Sequence, residues 1–187
     1  MKSGVTLVYL EPSMILAYLQ KEKDRWSDCD ACINSLRSGQ FRGITSALSM
    51  AEVAKPKGVD ARTIPFDKYK EMEKFFEYSW LSLVGVDRRV AKRARELVRQ
   101  YNIRGADAVH LATAEVYNAD FLFTYDDDLL DVASQIVRPR IQHPFGQLGL
   151  FPSTVTHGVP GQHSTVSPSP QGTGQQSTFP KGANAQP

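Results

Sequence analysis

Four acidic residues within the first 130 positions of the chain each lie at the edge of an apolar run. They are Glu11 in VTLVYLEPS, Glu52 in TSALSMAEV, Asp107 in GADAVHLATA and Asp126 in FLFTYDDDLL. Apolar runs build a protein core, and a core excludes unpaired carboxylates because an isolated buried charge is very costly. Acids held at the ends of core elements therefore indicate a positive group between them. A hard divalent cation is the natural candidate, so the pattern predicts a metal-dependent enzyme that acts on phosphates.

Mg²⁺ and Mn²⁺ both suit such a site, because they prefer oxygen ligands and keep several bound waters. A bound cation lowers the pKa of a water molecule and stabilises the charge that develops on a phosphodiester. A carboxylate that is not needed for binding can orient the attacking water as a general base. The acids are therefore typical of a site that hydrolyses phosphodiester bonds.

Each acid also has an alternative structural interpretation. Glu11 can cap the helix that follows it, and Asp107 can favour the dipole of its own helix as a first-turn acid. Glu52 can be a solvated helix residue, and Asp126 can belong to a turn. Taken singly, these structural roles are the commoner ones. The same placement recurs in all of the segments, however, and this recurrence favours a shared site.

The bulk composition is that of a soluble globular protein with room for one domain and a tail. Of the 187 residues, 41% are hydrophobic and 22% are charged, and the net charge of +2 does not by itself indicate a nucleic-acid partner. Two cysteines are too few for a disulfide scaffold. The first apolar run is interrupted by Glu11 and Pro12 too early for a signal peptide, and no segment reaches membrane-spanning length. We therefore expect a cytoplasmic protein.

Strands and helices alternate along the chain in the predicted order of elements. Strands are predicted over 5–10, 41–45, 81–86 and 121–125, with an edge strand over 136–141, and helices over 13–20, 26–36, 47–54, 66–80, 88–101 (with Asp87 as N-cap), 106–117 and 127–133. This alternation predicts an α/β fold in which helices cover both faces of a mainly parallel sheet of four to five strands.

The composition changes near residue 150. From there to residue 187 the chain is rich in Ser, Thr, Pro, Gly and Gln and contains no Asp or Glu. Such a segment cannot bury enough apolar surface to offset the entropy of ordering it. We therefore predict a folded domain over 1–150 and a disordered tail over 151–187.

The predicted topology brings the acids to one edge of the sheet. Ligands of open α/β sheets bind where the carboxyl ends of the strands meet the following helices. Glu11 ends the first predicted strand and Asp126 ends the fourth, while Glu52 and Asp107 lie on helices that follow or flank the strands. We therefore expect all of these carboxylates to face one crevice.

The order and context of these motifs resemble those of PIN-domain ribonucleases, especially the small VapC-type toxins of bacterial toxin–antitoxin pairs. The resemblance covers about residues 5 to 140, and GADAVHLATA is its most specific segment. It implies a PIN-like three-layer α/β/α sandwich, a ribonuclease that uses Mg²⁺ or Mn²⁺, a cognate antitoxin and a homodimer. The implied catalytic residues are Glu11, Glu52, Asp107 and Asp126; the implied metal ligands are Glu11, Asp107, Asp126 and Asp128; the implied supporting hydroxyls are Ser13 and Thr124.

The first motif departs from the family pattern. The family usually has Asp-Thr-Ser or Asp-Ser-Ser after the first strand, whereas this chain has Glu11, Pro12 and Ser13. The extra methylene of Glu11 moves its oxygens by about one bond length, and Mg²⁺ tolerates geometric error poorly. A second hypothesis is therefore an RNA- or partner-binding module that keeps the fold with weakened catalysis.

Basic residues crowd the predicted helix that precedes Asp107, and two interpretations of them stay open. A run of like charges is usually a solvated face, but a basic helix beside the acids can also hold an RNA backbone through phosphate contacts. The candidate RNA-binding residues are Arg88, Arg89, Lys92, Arg93 and Arg104.

Cys29, Cys32 and His110 have less specific patterns. A lone C-x-x-C supplies only two of the four ligands that structural zinc needs, so Cys29 and Cys32 are predicted to be core residues rather than a zinc or redox site. His110 follows Asp107 by one helical turn, and packing within the helix is favoured over metal binding. More aromatic surface than one small helix needs comes from Trp26, Tyr69, Phe75, Phe76 and Trp80. Core packing explains most of it, and a surplus patch suits a dimer contact or an antitoxin segment.

Overall fold

The computed structural model describes residues 5–55 and 58–145. The strands are β1 (Thr6–Leu10), β2 (Phe41–Ser46), β3 (Leu81–Val84), β4 (Phe121–Phe123) and β5 (Arg140–Gln142). The helices are α1 (Pro12–Leu19), α2 (Trp26–Arg37), α3 (Ala47–Val53), α4 (Phe66–Phe75), α5 (Arg88–Tyr101), α6 (Gly105–Val116) and α7 (Asp127–Val132). The predicted tail over 151–187 and the domain boundary near 150 lie outside the described residues.

The five strands form one parallel sheet in the order β3-β2-β1-β4-β5. The α/β class and the mainly parallel sheet predicted from the sequence are confirmed. Strand β1 lies at the centre, and its register with β4 pairs Leu10 with Phe123. Because all strands run the same way, their carboxyl ends share one edge, and the residue after each strand begins the loops of that edge.

Alternating side chains of the strands feed two separate cores, one on each face of the sheet. Val8 and Leu10 of β1 pack in the core that α1, α2 and α4 cover. Tyr9, which lies between them, packs in the core formed with α5, α6 and α7. The same alternation holds in β4, where Phe121 and Leu122 face opposite cores. The period of two residues places helices on both faces, as the α/β/α arrangement requires.

Helix α4 is shorter than predicted. It ends at Phe75, whereas the sequence pattern predicted a single helix over 66–80. The aromatic residues beyond it pack by ring contacts in a turn: Tyr78 and Trp80 stack with their centroids 5.3 Å apart, and Trp80 meets Phe75 edge to face at 5.5 Å. Tyr69, which was predicted on the packed side of this helix, is exposed. The spacing of aromatic residues therefore reflected one cluster rather than one helical stripe.

The remaining differences concern the ends of elements. Strand β4 ends at Phe123 instead of 125 because the Tyr125 N–H donates to the Ser13 hydroxyl at 2.8 Å and leaves the ladder. Strand β5 forms only over Arg140–Gln142. Val98 of α5 is exposed, although it was predicted to face inward. Among the described residues, no helix has the length and apolar character that crossing a bilayer would need.

Candidate active site

Three of the predicted acids converge at the carboxyl edge of the sheet. Asp107, Asp126 and Asp128 each place a carboxylate oxygen within 4.8 Å of the others. Asp107 is buried, while Asp128 is exposed at the surface of the crevice. We call Asp107, Asp126 and Asp128 the aspartate cluster. Residues that lie about 20 positions apart in the sequence therefore share one site.

Two helix starts position the aspartate cluster. Asp107 lies in the first turn of α6, where the positive end of the helix dipole favours a carboxylate. Asp126 is the N-cap of α7, and its Oδ1 accepts the backbone N–H of Asp128 at 3.0 Å. The predicted cap role of Asp126 and its membership of the cluster are therefore compatible, because one carboxylate oxygen caps the helix and the other faces the crevice.

The guanidinium of Arg104 occupies the space between the three aspartates. Its Nε donates to Asp107 Oδ2 at 2.8 Å and lies 2.9 Å from Asp128 Oδ2, and its Nη2 donates to Asp126 Oδ2 at 2.7 Å. These contacts raise the pKa of Arg104 above its ordinary value, with the hydrogen bond to Asp107 as the largest cause. The cluster thus already holds one cation, which belongs to the chain itself.

Burial raises the pKa of Asp107 above its ordinary value, because the charged form loses solvation. The hydrogen bond from Arg104 lowers this pKa again, and the negative charge of Asp126 raises it. The Arg104 guanidinium is therefore a positive neighbour that favours the ionised form of this buried carboxylate.

Glu11 is not a member of the aspartate cluster, but Thr124 links its carboxylate to the backbone of Asp126. It caps α1, and its Oε2 accepts the backbone N–H of Ser13 at 2.9 Å as well as the Ser13 hydroxyl. The Thr124 hydroxyl donates to the same oxygen at 2.9 Å. Burial raises the pKa of Glu11, although these hydrogen bonds from Ser13 and Thr124 oppose the rise. The capping role weighed in the sequence is therefore present, and the carboxylate is closed in by hydroxyls.

Ser13 and Thr124 link Glu11 to the loop that carries the aspartates. The register of β1 and β4 places Glu11 and Thr124 one step beyond the paired residues. Thr124 Oγ1 donates to Glu11 and accepts the backbone N–H of Asp126 at 2.9 Å. The Ser13 hydroxyl accepts the N–H of Tyr125. Both predicted hydroxyl positions thus contact the acidic groups or their backbone.

Glu52 meets a partner that the sequence reasoning did not assign to it. Its Oε2 lies 2.5 Å from His110 Nε2, across from helix α3 to helix α6. The other ring nitrogen of His110 lies 2.7 Å from the Tyr9 hydroxyl. The sequence offered one signal for a role of His110 near the site. It lies three residues after Asp107, so both side chains are on one face of α6.

The candidate RNA-binding residues fall into two groups. Arg89 pairs with Asp87 at 2.9 Å, and Arg93 forms a two-point contact with Glu115. Arg104 is held in the aspartate cluster. Arg88 and Lys92 are exposed and form no ion pair with any residue of 5–55 or 58–145. The ion-paired side chains Arg89 and Arg93 are therefore less free to hold phosphates than Arg88 and Lys92.

Both cysteines are buried and form no disulfide with each other. Their pKa values are raised by burial, that of Cys29 to about 11. They lie in the core covered by α1, α2 and α4, away from any further thiol or histidine cluster among the described residues. The core interpretation of Cys29 and Cys32 is confirmed.

The chain matches known proteins over the part that carries this site. The family model of the PIN domain matches residues 8–135. Ribonuclease VapC46 of Mycobacterium tuberculosis is 34% identical over 134 residues, which cover 69% of this chain and 92% of VapC46.

Solved structures share the fold at low sequence identity. The crystal structure of Mycobacterium tuberculosis VapC20, a sarcin-ricin loop cleaving toxin, has a TM-score of 0.53 and 13% identity, with 65% of this chain and 91% of that chain covered. The VapBC2 complex of Rickettsia felis, bound to a promoter DNA fragment, has a TM-score of 0.53 and 16% identity, with 74% and 99% covered. The chain belongs to the PIN-domain family, among its VapC-type members.

Proposed function

We propose that this protein is a metal-dependent ribonuclease that hydrolyses RNA phosphodiester bonds and is the toxin of a toxin–antitoxin pair. The observation that carries the proposal is the convergence of Asp107, Asp126 and Asp128 at the carboxyl edge of the sheet. Their carboxylate oxygens lie within 4.8 Å of one another, around the guanidinium of Arg104. The match to ribonuclease VapC46 supports the substrate class and the reaction.

The donor set of the aspartate cluster fits Mg²⁺ or Mn²⁺. All of its side-chain donors are carboxylate oxygens, which hard divalent cations prefer, and the guanidinium of Arg104 shows that a positive group is stabilised there. Asp107, Asp126 and Asp128 would hold the cation, with Glu11 at the side of the site. When bound, such a cation supplies a more acidic water and charge stabilisation at the phosphate.

The side chains around the cluster have separate roles in this proposal. Glu52, which contacts His110 from α3 and has a side chain that is 34% exposed, is assigned the role of the general base that orients the attacking water. Thr124 and Ser13 fix the Glu11 carboxylate and the backbone before Asp126. Arg88 and Lys92 contact the RNA backbone through its phosphates, which gives affinity without sequence choice.

The test uses the purified full chain, Mn²⁺ and end-labelled RNA. We expect cleavage that EDTA abolishes and that Asp107→Asn reduces by at least about a hundredfold, since an electrostatic group at a reacting centre contributes on this scale. Asp127→Asn is the matched control, because Asp127 is exposed, lies between two cluster members in sequence and is not part of the cluster. Equal loss in both variants, or cleavage that survives EDTA, would contradict the proposal.

The geometry of Glu11 favours a second candidate, a PIN-fold module that binds RNA or a partner with weakened catalysis. The Glu11 carboxylate is buried, accepts several hydrogen bonds through one oxygen and lies outside the aspartate cluster. The substitution Glu11→Asp separates the candidates. A large gain in turnover over a nearly inactive parent supports the weakened module, whereas an active parent with little gain supports the enzyme.

We also propose a cognate antitoxin, a homodimer and action in the cytoplasm. The support for the antitoxin is that solved structures with this fold include toxin–antitoxin complexes. Co-purification with the product of an adjacent small gene, followed by loss of RNA cleavage in the complex, tests the pairing. The mass of the isolated protein by light scattering tests the homodimer.

A further inference from the structure

A chain of buried polar groups leads from β1 and β2 to the carboxylate of Glu52. The backbone N–H of Ser46 donates to the Tyr9 hydroxyl at 3.1 Å, the Tyr9 oxygen lies 2.7 Å from His110 Nδ1, and His110 Nε2 lies 2.5 Å from Glu52. His110 is 1% exposed and Tyr9 and Ser46 are fully buried. Bulk solvent therefore does not compete for the hydrogen bonds between the backbone and the His110 ring.

The hydrogen-bond roles along this chain follow from what each group can donate. The Tyr9 hydroxyl accepts the Ser46 N–H through one lone pair and can donate its own proton to His110 Nδ1, which lies 2.7 Å away. A ring nitrogen that accepts is unprotonated, so in the neutral imidazole the proton is on Nε2. Nε2–H then donates to the Glu52 carboxylate. In the opposite tautomer two acceptors would face each other at 2.5 Å, which is repulsive.

The Glu52 side chain depends on His110 for its orientation. Glu52 lies in the last turn of α3, a helix of seven residues, and His110 is the sole hydrogen-bond partner of its side chain among residues 5–55 and 58–145. A glutamate side chain that loses such a partner regains rotamer freedom. A general base must stay within hydrogen-bond reach of the group it deprotonates, so the orientation of Glu52 matters for the reaction.

We infer that His110 is a positioning residue that holds Glu52 in the active site, and that Tyr9 fixes the tautomer in which it does so. The inference rests on the proposed function, since it assigns how one of the proposed acids is oriented. It also explains why a histidine is buried one turn from Asp107 without joining the aspartate cluster. Residues that orient a functional side chain through a hydrogen bond, without touching the substrate, typically change activity by about 10- to 100-fold when they are lost.

The first measurement is spectroscopic and needs no substrate. In protein labelled with ¹⁵N-histidine, the His110 signals are those lost in His110→Gln. We expect Nδ1 to resonate as an unprotonated ring nitrogen and Nε2 as a protonated one, and Tyr9→Phe to shift the Nδ1 signal most. A His110 with protonated Nδ1, or with both nitrogens protonated at neutral pH, would overturn the inference even if the protein cleaves RNA.

The second measurement is kinetic. His110→Leu removes the donor, and we expect kcat on labelled RNA to fall by about 10- to 100-fold with KM changed less than about twofold. His110→Gln keeps an N–H near the position of Nε2, so we expect it to restore most of the loss. Thr113→Val is the matched control, because Thr113 is buried one turn further along α6 and its hydroxyl donates to Val109 instead.

The two measurements separate failure of the inference from failure of the proposed function. If the parent protein cleaves no RNA, the proposed function fails, and the tautomer measurement still decides the His110 arrangement. If His110→Leu does not fold, Tyr9→Phe and His110→Gln carry the kinetic test. Unchanged kcat in folded His110→Leu, or an equal loss in Thr113→Val, would show that His110 acts only in packing.

Discussion

The Arg104 guanidinium donates to the buried carboxylate of Asp107 at 2.8 Å and extends to Asp126 and Asp128 on the other side of the crevice. Arg104 lies three residues before Asp107, so one helical turn connects the cation to its first acid. Its side chain is 60% exposed and can leave the crevice without disturbing the core. The guanidinium of Arg104 therefore occupies a position where the three carboxylates could also bind a divalent cation.

Replacing Arg104 should change cation affinity. A guanidinium among the aspartates competes with a divalent cation, so we expect Arg104→Met to bind Mn²⁺ about tenfold more tightly, which corresponds to about 1.4 kcal/mol. Isothermal titration calorimetry measures this change. Arg104→Lys should give an intermediate affinity, because lysine keeps the positive charge but lacks the planar guanidinium that contacts several carboxylates at once. Arg99→Met removes an exposed charge on α5 and should leave affinity unchanged; weaker Mn²⁺ binding in Arg104→Met would show that Arg104 assists the cation.

Removing one carboxylate of the cluster should weaken cation binding. For Asp128→Asn we expect Mn²⁺ affinity to fall by at least about tenfold, because a unit charge a few ångströms from the cation contributes more than about 1.4 kcal/mol at an effective dielectric constant near 20. The neighbouring variant Asp127→Asn should bind Mn²⁺ like the parent protein, since Asp127 is outside the cluster. Titration calorimetry of both variants is the measurement, and equal affinities would remove Asp128 from the site.

Glu11 should make the stability of the metal-free protein depend on pH. Burial raises the pKa of Glu11 in the folded protein, so the native state binds its proton more tightly than the unfolded chain, where the pKa is about 4.3. The stabilisation from the protonated form is present below that value and is lost as the pH rises through the folded pKa. At pH 7.5, where Glu11 is ionised in the unfolded chain, its burial therefore lowers the free energy of unfolding.

The neutral variant Glu11→Gln measures this effect. In EDTA at pH 7.5 we expect Glu11→Gln to raise Tm, by roughly 2–4 °C for each kcal/mol of penalty removed. The difference from the parent should shrink as the pH falls and vanish below about pH 4.3. Circular dichroism melts at a series of pH values give both curves. A lower Tm for Glu11→Gln at pH 7.5 would mean that the hydrogen bonds from Ser13 and Thr124 outweigh the cost of burial.

The two cysteines should be chemically silent in the folded protein. Burial raises the pKa of Cys29 to about 11 and raises that of Cys32 as well, so at pH 8 only about one Cys29 thiol in a thousand is ionised. We expect no reaction with Ellman's reagent until guanidinium unfolds the chain, and then reaction of both thiols. Rapid labelling of the native protein, or zinc retained in native mass spectrometry, would support the zinc or redox interpretation instead.

The local sequence patterns were sufficient to predict most elements of this fold. Continuous β-favouring runs and amphipathic spacings predicted the central strands and the long helices within a few residues. A strand buried on both faces and a helix buried along one stripe each produce a hydrophobic pattern within a short stretch of sequence. The helix over 66–80 was wrong past Phe75, since the rings of Tyr78 and Trp80 pack on Phe75 from a turn. A short window does not distinguish aromatic residues on one helix face from aromatic residues in one cluster.

The sequence by itself was enough to predict the candidate site residues: acids at strand ends, hydroxyls beside them and a basic residue before Asp107. Only the tertiary structure decided their partners. It brought Asp126 and Asp128 to Arg104, joined Glu11 to Thr124 across 113 positions and placed His110 against Glu52 across 58. The physical reason is that strand order and helix packing set which side chains meet. These contacts join distant parts of the chain, so no local pattern records them.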